Sequence, residues 1–368
     1  MSRVKWLAPA GMLALVATTI VAFSAPGSAP AAGGVGPAFF GVVANTSELL
    51  NAPNFFAKEA AVMRQNGVQT VRIPVYWGAI QPSQTGALQW GDLDRQVTTM
   101  AQQRLTVLPT VLSSPAWAAV HPSSPSNSPP KNNADYAKFM TALVKRYGPR
   151  GAFWKAHSRL PQLPIHIWQV WNEPNLNMFW NAHPYAAPYV ALLKAAYKAI
   201  KQADPTAKVM LAGLPDRSWE ALQNLYTAGA QPFFDIGAVH PYTYSPADVL
   251  HIVAINRRVM SRNHDATKPI SLTETGWCTD KYVIPPAITW NTSPTVQAKN
   301  LTHLFNAVLR QRTQLHIQSI YWFNWYAPET TNTHAWEDFC GLRTQQHGKP
   351  GGTKALAAFS KIAHQNER

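Results

Sequence analysis

The chain alternates short apolar runs with longer amphipathic segments, and this alternation constrains its fold more than any other feature. Eight apolar runs have the length and the content of isoleucine, valine and aromatic residues that are typical of buried strands. They cover residues 39–44, 68–77, 105–112, 165–174, 208–215, 234–242, 270–277 and 317–326. Amphipathic segments with apolar residues three or four apart lie between them, as at 54–67, 134–148, 188–205 and 295–312. A last such segment, 353–365, follows the eighth run.

Eight strands that are each followed by a helix predict an α/β fold, the (β/α)8 barrel, built as a single domain. A doubly wound open sheet is the alternative, although it normally uses fewer strands. The connections between the predicted elements are unequal in length. Three links from a strand to the next helix are long, at 113–130, 278–293 and 327–353, whereas most links from a helix to the next strand have only a few residues. In a barrel the long links meet at the carboxyl ends of the strands, where we expect the chemistry.

The first residues have the pattern of an export signal. Arg3 and Lys5 precede an apolar run from about residue 8 to residue 23, and small residues and prolines follow it. The pattern predicts cleavage between Ala25 and Gly33, with an uncleaved membrane anchor as the alternative. We therefore expect residues 1–32 to be a signal peptide and linker and residues 33–368 to be the catalytic barrel, secreted or associated with the cell envelope, with no stable membrane insertion once the signal is removed.

The charge balance is basic, with 32 Lys and Arg against 18 Asp and Glu in 368 residues, a formal net charge of +14. The basic residues are scattered singly, so the basic helix or run that grips phosphates is missing and a nucleic-acid partner is not expected. A solvated basic surface is the simpler interpretation, and attraction to an anionic polysaccharide or a cell envelope is the alternative. The sequence has no CxxC, HExxH or P-loop pattern, so we expect neither a metal nor another cofactor.

Polar and charged residues stand at the ends of several predicted strands. The fourth strand, "IHIWQVWNEPN", runs into Glu173, and Pro174 disfavours the helical region for that residue, so we expect it to be extended as the last residue of the strand. The seventh strand, "ISLTETGW", delivers Glu274. Arg72 on the second strand and His240 and Tyr242 at the end of the sixth face the same mouth if the barrel prediction holds.

Two carboxylates in a sugar-sized aromatic pocket indicate hydrolysis of a glycosidic bond. Glu274 is the predicted nucleophile, because Arg72 and the Tyr242 hydroxyl can hold its carboxylate charged and aimed. Glu173 is the predicted proton donor, and later the base that activates water. Asn172 is expected to bond the 2-hydroxyl of the sugar.

Tryptophans at the mouth are candidate platforms on which sugar rings stack. Trp325 is the first choice and Trp322 the second. The full set of candidates is Trp77, Trp117, Trp180, Trp277, Trp322, Trp325 and Trp336.

Cys278 follows the seventh strand and Cys340 lies in the link after the eighth. Those two links are neighbours in a barrel, so we predict a disulfide between them, as suits an oxidising compartment.

The combination of "WNEPN" in the fourth strand with "LTETGW" in the seventh resembles clan A of the glycoside hydrolases, the retaining (β/α)8 enzymes. "VQTVRIPVYW" is similar to the arginine-bearing second strand of that clan, "VHPYTY" to its sixth strand, and "FCGLRTQQHGKPGGTKALAAF" to the segment that leads into the last helix. The third strand lacks the histidine usual in family 5, and its "SSPAW" loop is more similar to family 39.

The resemblance implies the same roles residue by residue. Glu173 would be the acid and base and Glu274 the nucleophile, Trp325 would lie under the sugar at the cleavage point, and the supporting residues would be Asn172, Arg72, His240 and Tyr242.

The predicted protein is thus a secreted retaining β-glycosidase that needs no cofactor and acts on a polysaccharide or oligosaccharide. The number of candidate tryptophan platforms favours an endo-acting enzyme. An exo-acting enzyme of xylosidase-like or galactofuranosidase-like activity, an inactive carbohydrate-binding barrel and a transglycosylase are the alternatives. The sequence indicates neither the sugar and its linkage nor the oligomeric state.

Overall fold

A computed structural model describes residues 35–279, 291–328, 336–346 and 349–367, without the side chains of residues 336, 337 and 346. The predicted signal peptide and linker lie outside the described residues. The described residues belong to one compact unit. Among the described residues, none of the helices combines the length and the apolar character that crossing a membrane requires.

Eight parallel strands form the central sheet. They are Phe40–Val43 (β1), Thr70–Tyr76 (β2), Thr106–Leu112 (β3), Ile167–Val170 (β4), Lys208–Met210 (β5), Gly237–Val239 (β6), Ile270–Thr275 (β7) and Ile317–Trp322 (β8). Their order, β5-β4-β3-β2-β1-β8-β7-β6, is that of a barrel opened between β5 and β6. Two isolated parallel bridges, from Met210 to Ile236 and from Leu214 to Val239, cross that gap. The predicted (β/α)8 barrel is confirmed.

Eight long helices follow the strands in turn and surround the sheet. They are Pro53–Gln65 (α2), Gly91–Gln102 (α4), Asn133–Tyr147 (α5), Ala186–Ala203 (α7), Ser218–Thr227 (α8), Pro246–Arg262 (α9), Pro294–Gln311 (α10) and Lys354–Asn366 (α11). Short helices lie in the connections at Ser47–Leu50 (α1), Trp77–Ile80 (α3) and Ala152–Ala156 (α6). After β8, a small sheet is formed by Tyr326–Ala327 (β9), Arg343–Gln346 (β10) and Lys349–Gly352 (β11).

Local sequence signals fix where several of these helices begin. Side-chain oxygens of Asn132, Ser245, Ser293 and Thr353 accept hydrogen bonds from backbone N–H groups in the first turns of α5, α9, α10 and α11. These residues satisfy donors that have no partner within the helix. Each of these helices therefore starts at a defined residue, which sets the length of the link that precedes it.

The inside of the barrel is filled by side chains of alternate strand residues. Tyr321 of β8 lies across Gly41 of β1, where an added Cβ would come within 2.3 Å of its ring, so only glycine leaves room for the tyrosine. The Tyr321 hydroxyl lies 3.2 Å from the Thr70 hydroxyl on β2. The barrel is therefore a packed core below its mouth, and the space for a ligand lies at the carboxyl ends of the strands.

The predicted disulfide is confirmed, because Cys278 and Cys340 are bonded to each other. The bond joins the link after β7 to the link after β8, and it closes a sequence separation of 62 residues. In the chain-entropy account such a loop stabilises the folded state by about 4 kcal/mol. The two links beside the mouth are thereby held together.

Candidate active site

A cavity of about 310 Å³ opens at the carboxyl ends of the strands. Every strand of the barrel, or the link that follows it, contributes to its lining. The lining includes Glu173 and Glu274, which are 7% and 8% exposed, and the predicted residues Arg72, Asn172 and Tyr242. The barrel thus brings together at one mouth five polar residues from four stretches that are far apart in sequence.

Glu274 lies within β7 and is held by two donors. Its Oε1 accepts a hydrogen bond of 2.6 Å from Nη1 of Arg72, and its Oε2 accepts one of 2.8 Å from the Tyr242 hydroxyl. The register of β7 against β8 shifts between Leu272 and Thr275, so the alternation of faces is interrupted at Glu274. Such irregularities re-aim side chains beside active sites. Both contacts expected for this carboxylate are present.

Glu173 lies beyond the end of β4 in a turn. Its φ is +40° and that of Trp171 is +69°, so the chain leaves the strand before it reaches the glutamate. Its N–H donates to the Gly213 carbonyl at 3.2 Å, and its carbonyl accepts from the Leu176 N–H at 2.9 Å. The prediction that Glu173 is the extended last residue of the strand is therefore wrong. Pro174 disfavours the right-handed helical region, but these turn hydrogen bonds hold the glutamate in the left-handed region instead.

His240 is fully buried beneath the two carboxylates. Its Nδ1 lies 2.5 Å from Oε1 of Glu173 and 3.6 Å from Oε2 of Glu274, and its Nε2 lies 3.0 Å from the Thr273 hydroxyl. A Cβ on Gly213 would come within 1.9 Å of Nε2, so the glycine makes room for the ring. His240 does not line the cavity. The prediction that His240 faces the mouth is wrong, because the ring is covered by the carboxylates that it contacts.

Arg72 connects three strand ends through one guanidinium. Its Nε donates to Oε1 of Gln169 at 2.7 Å, its Nη1 to Glu274 at 2.6 Å, and its Nη2 to Oδ1 of Asn172 at 2.7 Å. The side chain is buried, and its planar fork matches these three acceptors. Because Oδ1 of Asn172 is engaged by Arg72, its amide NH₂ is the group left to donate towards the cavity.

Gln169 is a positioning residue that the sequence analysis missed. It lies on β4 and is fully buried. Besides Arg72, its Oε1 accepts from the Thr110 hydroxyl at 2.8 Å, and its Nε2 donates to the Leu211 carbonyl at 3.0 Å. A lone amide inside the apolar run "IHIWQVW" was the available signal, since a buried polar group requires partners.

The surroundings separate the pKa values of the two carboxyl groups. Burial raises the pKa of Glu173 above its ordinary value, and the hydrogen bond and charge of His240 only partly oppose this effect. Burial alone would also raise the pKa of Glu274, but the charges of His240 and Arg72 and the hydrogen bonds from Tyr242 and Arg72 lower it overall. One group therefore retains its proton to higher pH while its neighbour is ionised. Burial, followed by the charge of Glu274, raises the pKa of Tyr242 well above its ordinary value, so its hydroxyl remains a donor.

Glu173, His240 and Glu274 offer ligand atoms that all lie within 4.8 Å of one another, and they are the group in the described part of the chain whose spacing suits a metal ion. Their lone pairs are already engaged, because Arg72 and Tyr242 donate to Glu274 and the ring of His240 bonds Glu173. A dication would also be repelled by the guanidinium of Arg72. The contacts therefore fit proton transfer and nucleophilic attack better than metal binding.

The tryptophan platforms predicted from the sequence are not in the cavity. Five of them are at most 1% exposed and pack behind the strands: Trp77, Trp180, Trp277, Trp322 and Trp325. Trp117 is half-buried and also lies outside the lining, with its indole N–H bonded to the Gln81 carbonyl. The prediction that tryptophans stack on sugar rings is therefore wrong for the five buried ones, and for Trp117 it stays a prediction. The seventh, Trp336, has its side chain outside the described residues.

The first-choice platform, Trp325, donates from its indole N–H to Oε2 of Glu59 at 2.9 Å. Arg343 donates to both oxygens of the same carboxylate, at 2.9 and 2.8 Å. Trp325 therefore ties the end of β8 to α2 and β10 in the body of the fold.

Other aromatic side chains take the expected place in the cavity. Tyr76 of β2, Phe179 after β4 and Phe323 after β8 line it, and so does Met178, which is 61% exposed although the sequence indicated a core or loop role. The alternation of side chains along a strand was the signal that could have identified Tyr76 and Phe323. Tyr76 lies four residues after Arg72 and shares its face, whereas Trp77 lies on the opposite face.

Comparison with known proteins gives a family match over most of the chain. The family described as Cellulase (glycosyl hydrolase family 5) matches residues 53–328. No curated protein sequence matches the chain.

Solved structures share the barrel at low sequence identity. A family 39 glycoside hydrolase from Bacteroides cellulosilyticus has a TM-score of 0.66 at 18% identity, covering 89% of this chain and 63% of that one. A monomeric β-xylosidase from Caulobacter crescentus has a TM-score of 0.68 at 16% identity, covering 90% and 69%. An exo-β-1,4-mannosidase from an Opitutaceae bacterium has a TM-score of 0.64 at 15% identity, covering 89% and 59%. These likenesses support the fold, and the chain spans less than two thirds of the first and third of these proteins.

Replacing Gln169 by leucine should destabilise the protein strongly, because Nε of Arg72 would remain buried without an acceptor. We expect a loss of about 2–4 kcal/mol in the free energy of unfolding, measured by urea denaturation. Gln102→Leu, at an exposed position of α4, is the matched control. Equal stability of the two variants would contradict the role of Gln169.

Proposed function

The chain belongs to the cellulase family, glycosyl hydrolase family 5. From this premise we propose that it is a retaining glycosidase of clan A, with Glu274 as its nucleophile and Glu173 as its general acid and base. The observation that carries the proposal is the placement of the two carboxylates. Ligand oxygens of Glu173 and Glu274 lie within 4.8 Å of each other at the floor of one cavity. Retaining glycosidases hold their carboxyl groups about 5–5.5 Å apart, whereas inverting ones need about 6.5–9.5 Å to admit a water molecule.

In the first step a carboxylate oxygen of Glu274 attacks the anomeric carbon, and the bond from that carbon to the leaving oxygen breaks. Glu173 donates its proton to the leaving oxygen, so the aglycone departs as a neutral alcohol. Arg72 and Tyr242 keep Glu274 ionised and oriented until it bonds the sugar. The result is a glycosyl ester on Glu274 and an ionised Glu173.

In the second step Glu173 acts as the base. It removes a proton from a water molecule, whose oxygen attacks the anomeric carbon and releases the carboxylate of Glu274. Glu173 is then protonated again, ready for the next turnover, and the sugar keeps its anomeric configuration because it has been inverted twice. His240 stays bonded to Glu173 on the side away from the cavity, and so holds the carboxyl group in place through both steps.

Substrate contacts follow from the rest of the lining. The amide NH₂ of Asn172, fixed by Arg72, is placed to donate to the 2-hydroxyl of the sugar, a bond that strengthens in the transition state. Phe323 and Tyr76 offer apolar faces against which the C–H face of a sugar ring packs.

We further propose exo action on the end of an oligosaccharide. The expectation of endo action depended on a row of tryptophan platforms, and six of those seven tryptophans lie outside the cavity lining. A cavity of about 310 Å³ is at the small end of the range for ligand sites, which suits a few sugar units. The proteins of similar fold include a β-xylosidase and an exo-β-1,4-mannosidase, which supports the same choice.

We also propose that the enzyme acts outside the cytoplasm. The Cys278–Cys340 disulfide supports this location, since such bonds form and persist in oxidising compartments. The signal-like residues 1–32 support it as well.

Alanine variants of the two glutamates should respond differently to azide. We expect Glu274→Ala to lower kcat/KM by at least about 10⁴-fold on every glycoside. Glu173→Ala should still form the glycosyl enzyme from an aryl glycoside with a good leaving group, then be rescued by azide, which attacks without needing a base. The azide product should keep the β configuration with Glu173→Ala and have the α configuration with Glu274→Ala, as determined by NMR.

Glu48→Ala, at an exposed glutamate of α1, is the control for loss of a carboxylate elsewhere. Rescue of Glu274→Ala with a β product would reverse the two assigned roles.

The pH profile of kcat/KM should be bell-shaped, with both limbs set by the carboxyl groups. Glu274 must be ionised, and its lowered pKa extends activity to lower pH before protonation stops the attack. Glu173 must be protonated, and its raised pKa extends activity to higher pH before the acid is lost. With Glu173→Ala and an activated aryl glycoside, the basic limb should disappear while the acidic limb remains. Persistence of the basic limb in that variant would assign it to another group.

Product analysis on defined β-linked oligosaccharides should distinguish the modes of cleavage. Exo action predicts that the monosaccharide is released from the first minutes, while the residual chains shorten one unit at a time. A mixture of medium-length oligosaccharides at early times would show endo action instead. Products longer than the substrate would identify a transglycosylase.

A further inference from the structure

The cavity has a charge balance opposite to that of the chain as a whole. The sequence has 32 basic and 18 acidic residues. The described lining contains three acidic side chains, Glu173, Asp216 and Glu274, and one basic side chain, Arg72. Even with Glu173 protonated, the lining has one more negative than positive charge. The cavity lining is therefore acidic although the chain as a whole is basic.

The cation in this described lining is already paired within the protein. Each of the three nitrogens of the Arg72 guanidinium donates to a protein acceptor, and these acceptors are Gln169, Glu274 and Asn172. Arg217, the residue after Asp216, does not line the cavity and is ion-paired with Glu220. In this described lining an acidic sugar would therefore meet a cation whose charge is already paired with Glu274, next to carboxylates of the protein.

Asp216 is placed differently from the two catalytic glutamates. It is exposed, and it lies in the link between β5 and α8 at the rim of the cavity. Within the described part of the chain, its carboxylate takes part in no hydrogen bond or ion pair. Helix α8 begins two residues later and has no side-chain cap, so Asp216 does not hold the helix start through a hydrogen bond.

The backbone of Asp216 is also unusual. Its φ is +54°, a region that residues other than glycine rarely adopt, although aspartate and asparagine tolerate it better than most. Such a conformation persists only where the surrounding structure imposes it, and it is more frequent at functional sites. Here it presents an unpaired carboxylate beside Pro215 at the mouth.

We propose that Asp216 is a specificity-determining residue, which binds hydroxyl groups of an uncharged sugar and disfavours sugars that carry a carboxylate. This inference depends on the proposed glycosidase function and narrows its substrate class. A carboxylate accepts hydrogen bonds from two neighbouring hydroxyls at once, and bonds to an ionised acceptor are stronger than neutral ones. The same charge repels a uronic acid.

Matched pairs of substrates isolate the charge from the rest of the sugar. Aryl β-glucoside and β-glucuronide differ only at C6, as do aryl β-galactoside and β-galacturonide. Cello-oligosaccharides and their C6-oxidised forms extend the comparison to longer chains, with binding measured by calorimetry. All measurements are made at pH 7, where the uronates are ionised.

Two variants complete the design. Asp216→Asn keeps the shape of the side chain and the tolerance for positive φ while removing the charge. Asp92→Asn, on the exposed surface of α4 and outside the cavity lining, removes an equal charge elsewhere.

We expect the wild-type enzyme to prefer the neutral member of each accepted pair by at least about 10-fold in kcat/KM or affinity. Asp216→Asn should lower kcat/KM on the neutral member by about 10- to 100-fold. It should also reduce the preference for the neutral sugar over its uronate. Asp92→Asn should change neither quantity.

Preference for the uronate, or an Asp216→Asn variant with unchanged kinetics and binding, would overturn the proposal. A lower Tm for Asp216→Asn with unaltered affinity would show that Asp216 acts only on the start of α8. Turnover of uronates alone would leave the glycosidase function intact and refute the inference. Neutral glycans that bind without being hydrolysed would refute the glycosidase function and leave the inference intact. Failure of every neutral glycan to bind would refute the inference as well.

Discussion

The active site depends first on the contacts of the Arg72 guanidinium. A charge that is almost fully buried must be paired, and this one is paired with three acceptors that come from β4, from the turn after β4, and from β7. Each acceptor fixes one edge of the planar fork, so the arginine cannot satisfy its donors in another rotamer. The position of Glu274 and the orientation of the Asn172 amide are both consequences of this arrangement. Removing one acceptor would leave a buried donor unpaired.

The same guanidinium determines which of the two neighbouring carboxyl groups, Glu173 or Glu274, is ionised. Carboxyl groups this near each other resist simultaneous ionisation, and without a fixed asymmetry they would share one proton. Arg72 and Tyr242 contact Glu274 and not Glu173, whereas His240 bonds Glu173 most closely. The charge is therefore stabilised on Glu274, and burial keeps the proton on Glu173. Two chemically identical side chains acquire different properties from their neighbours, because different strands deliver those neighbours.

The sequence predicted the barrel, the disulfide and the polar members of the site, because each depends on a pattern that is local in the chain. Strand and helix periodicity give the element order, and element order in a barrel dictates which residues meet at the mouth. The sequence analysis failed for the aromatic residues, because residue type was given more weight than the alternation of side chains between the two faces of a strand. Tyr321 of β8 points into the barrel, so Phe323, the residue after the strand, shares its side. Trp322 lies on the other side, where its indole N–H donates to the carbonyl of Cys340 in the link after β8. The burial of His240 could not be predicted, since it depends on the space left by Gly213 in the link after β5.

The residues with positive φ fall into two groups, one that belongs to ordinary helix ends and one that belongs to the catalytic face. Among the described residues, eight other than glycine have positive φ, and four of them lie in links that follow a helix: Arg104, Arg150, His264 and His316. Left-handed residues after a helix are common, because they satisfy its last carbonyl groups. The other four lie in links that follow a strand on the catalytic face: Ser113, Trp171, Glu173 and Asp216. Helix capping does not account for these, and each costs on the order of 1–3 kcal/mol. The nearly closed ring of strands below the mouth supplies the stability that offsets this strain, so the barrel can hold an acid where an unstrained strand would not place it.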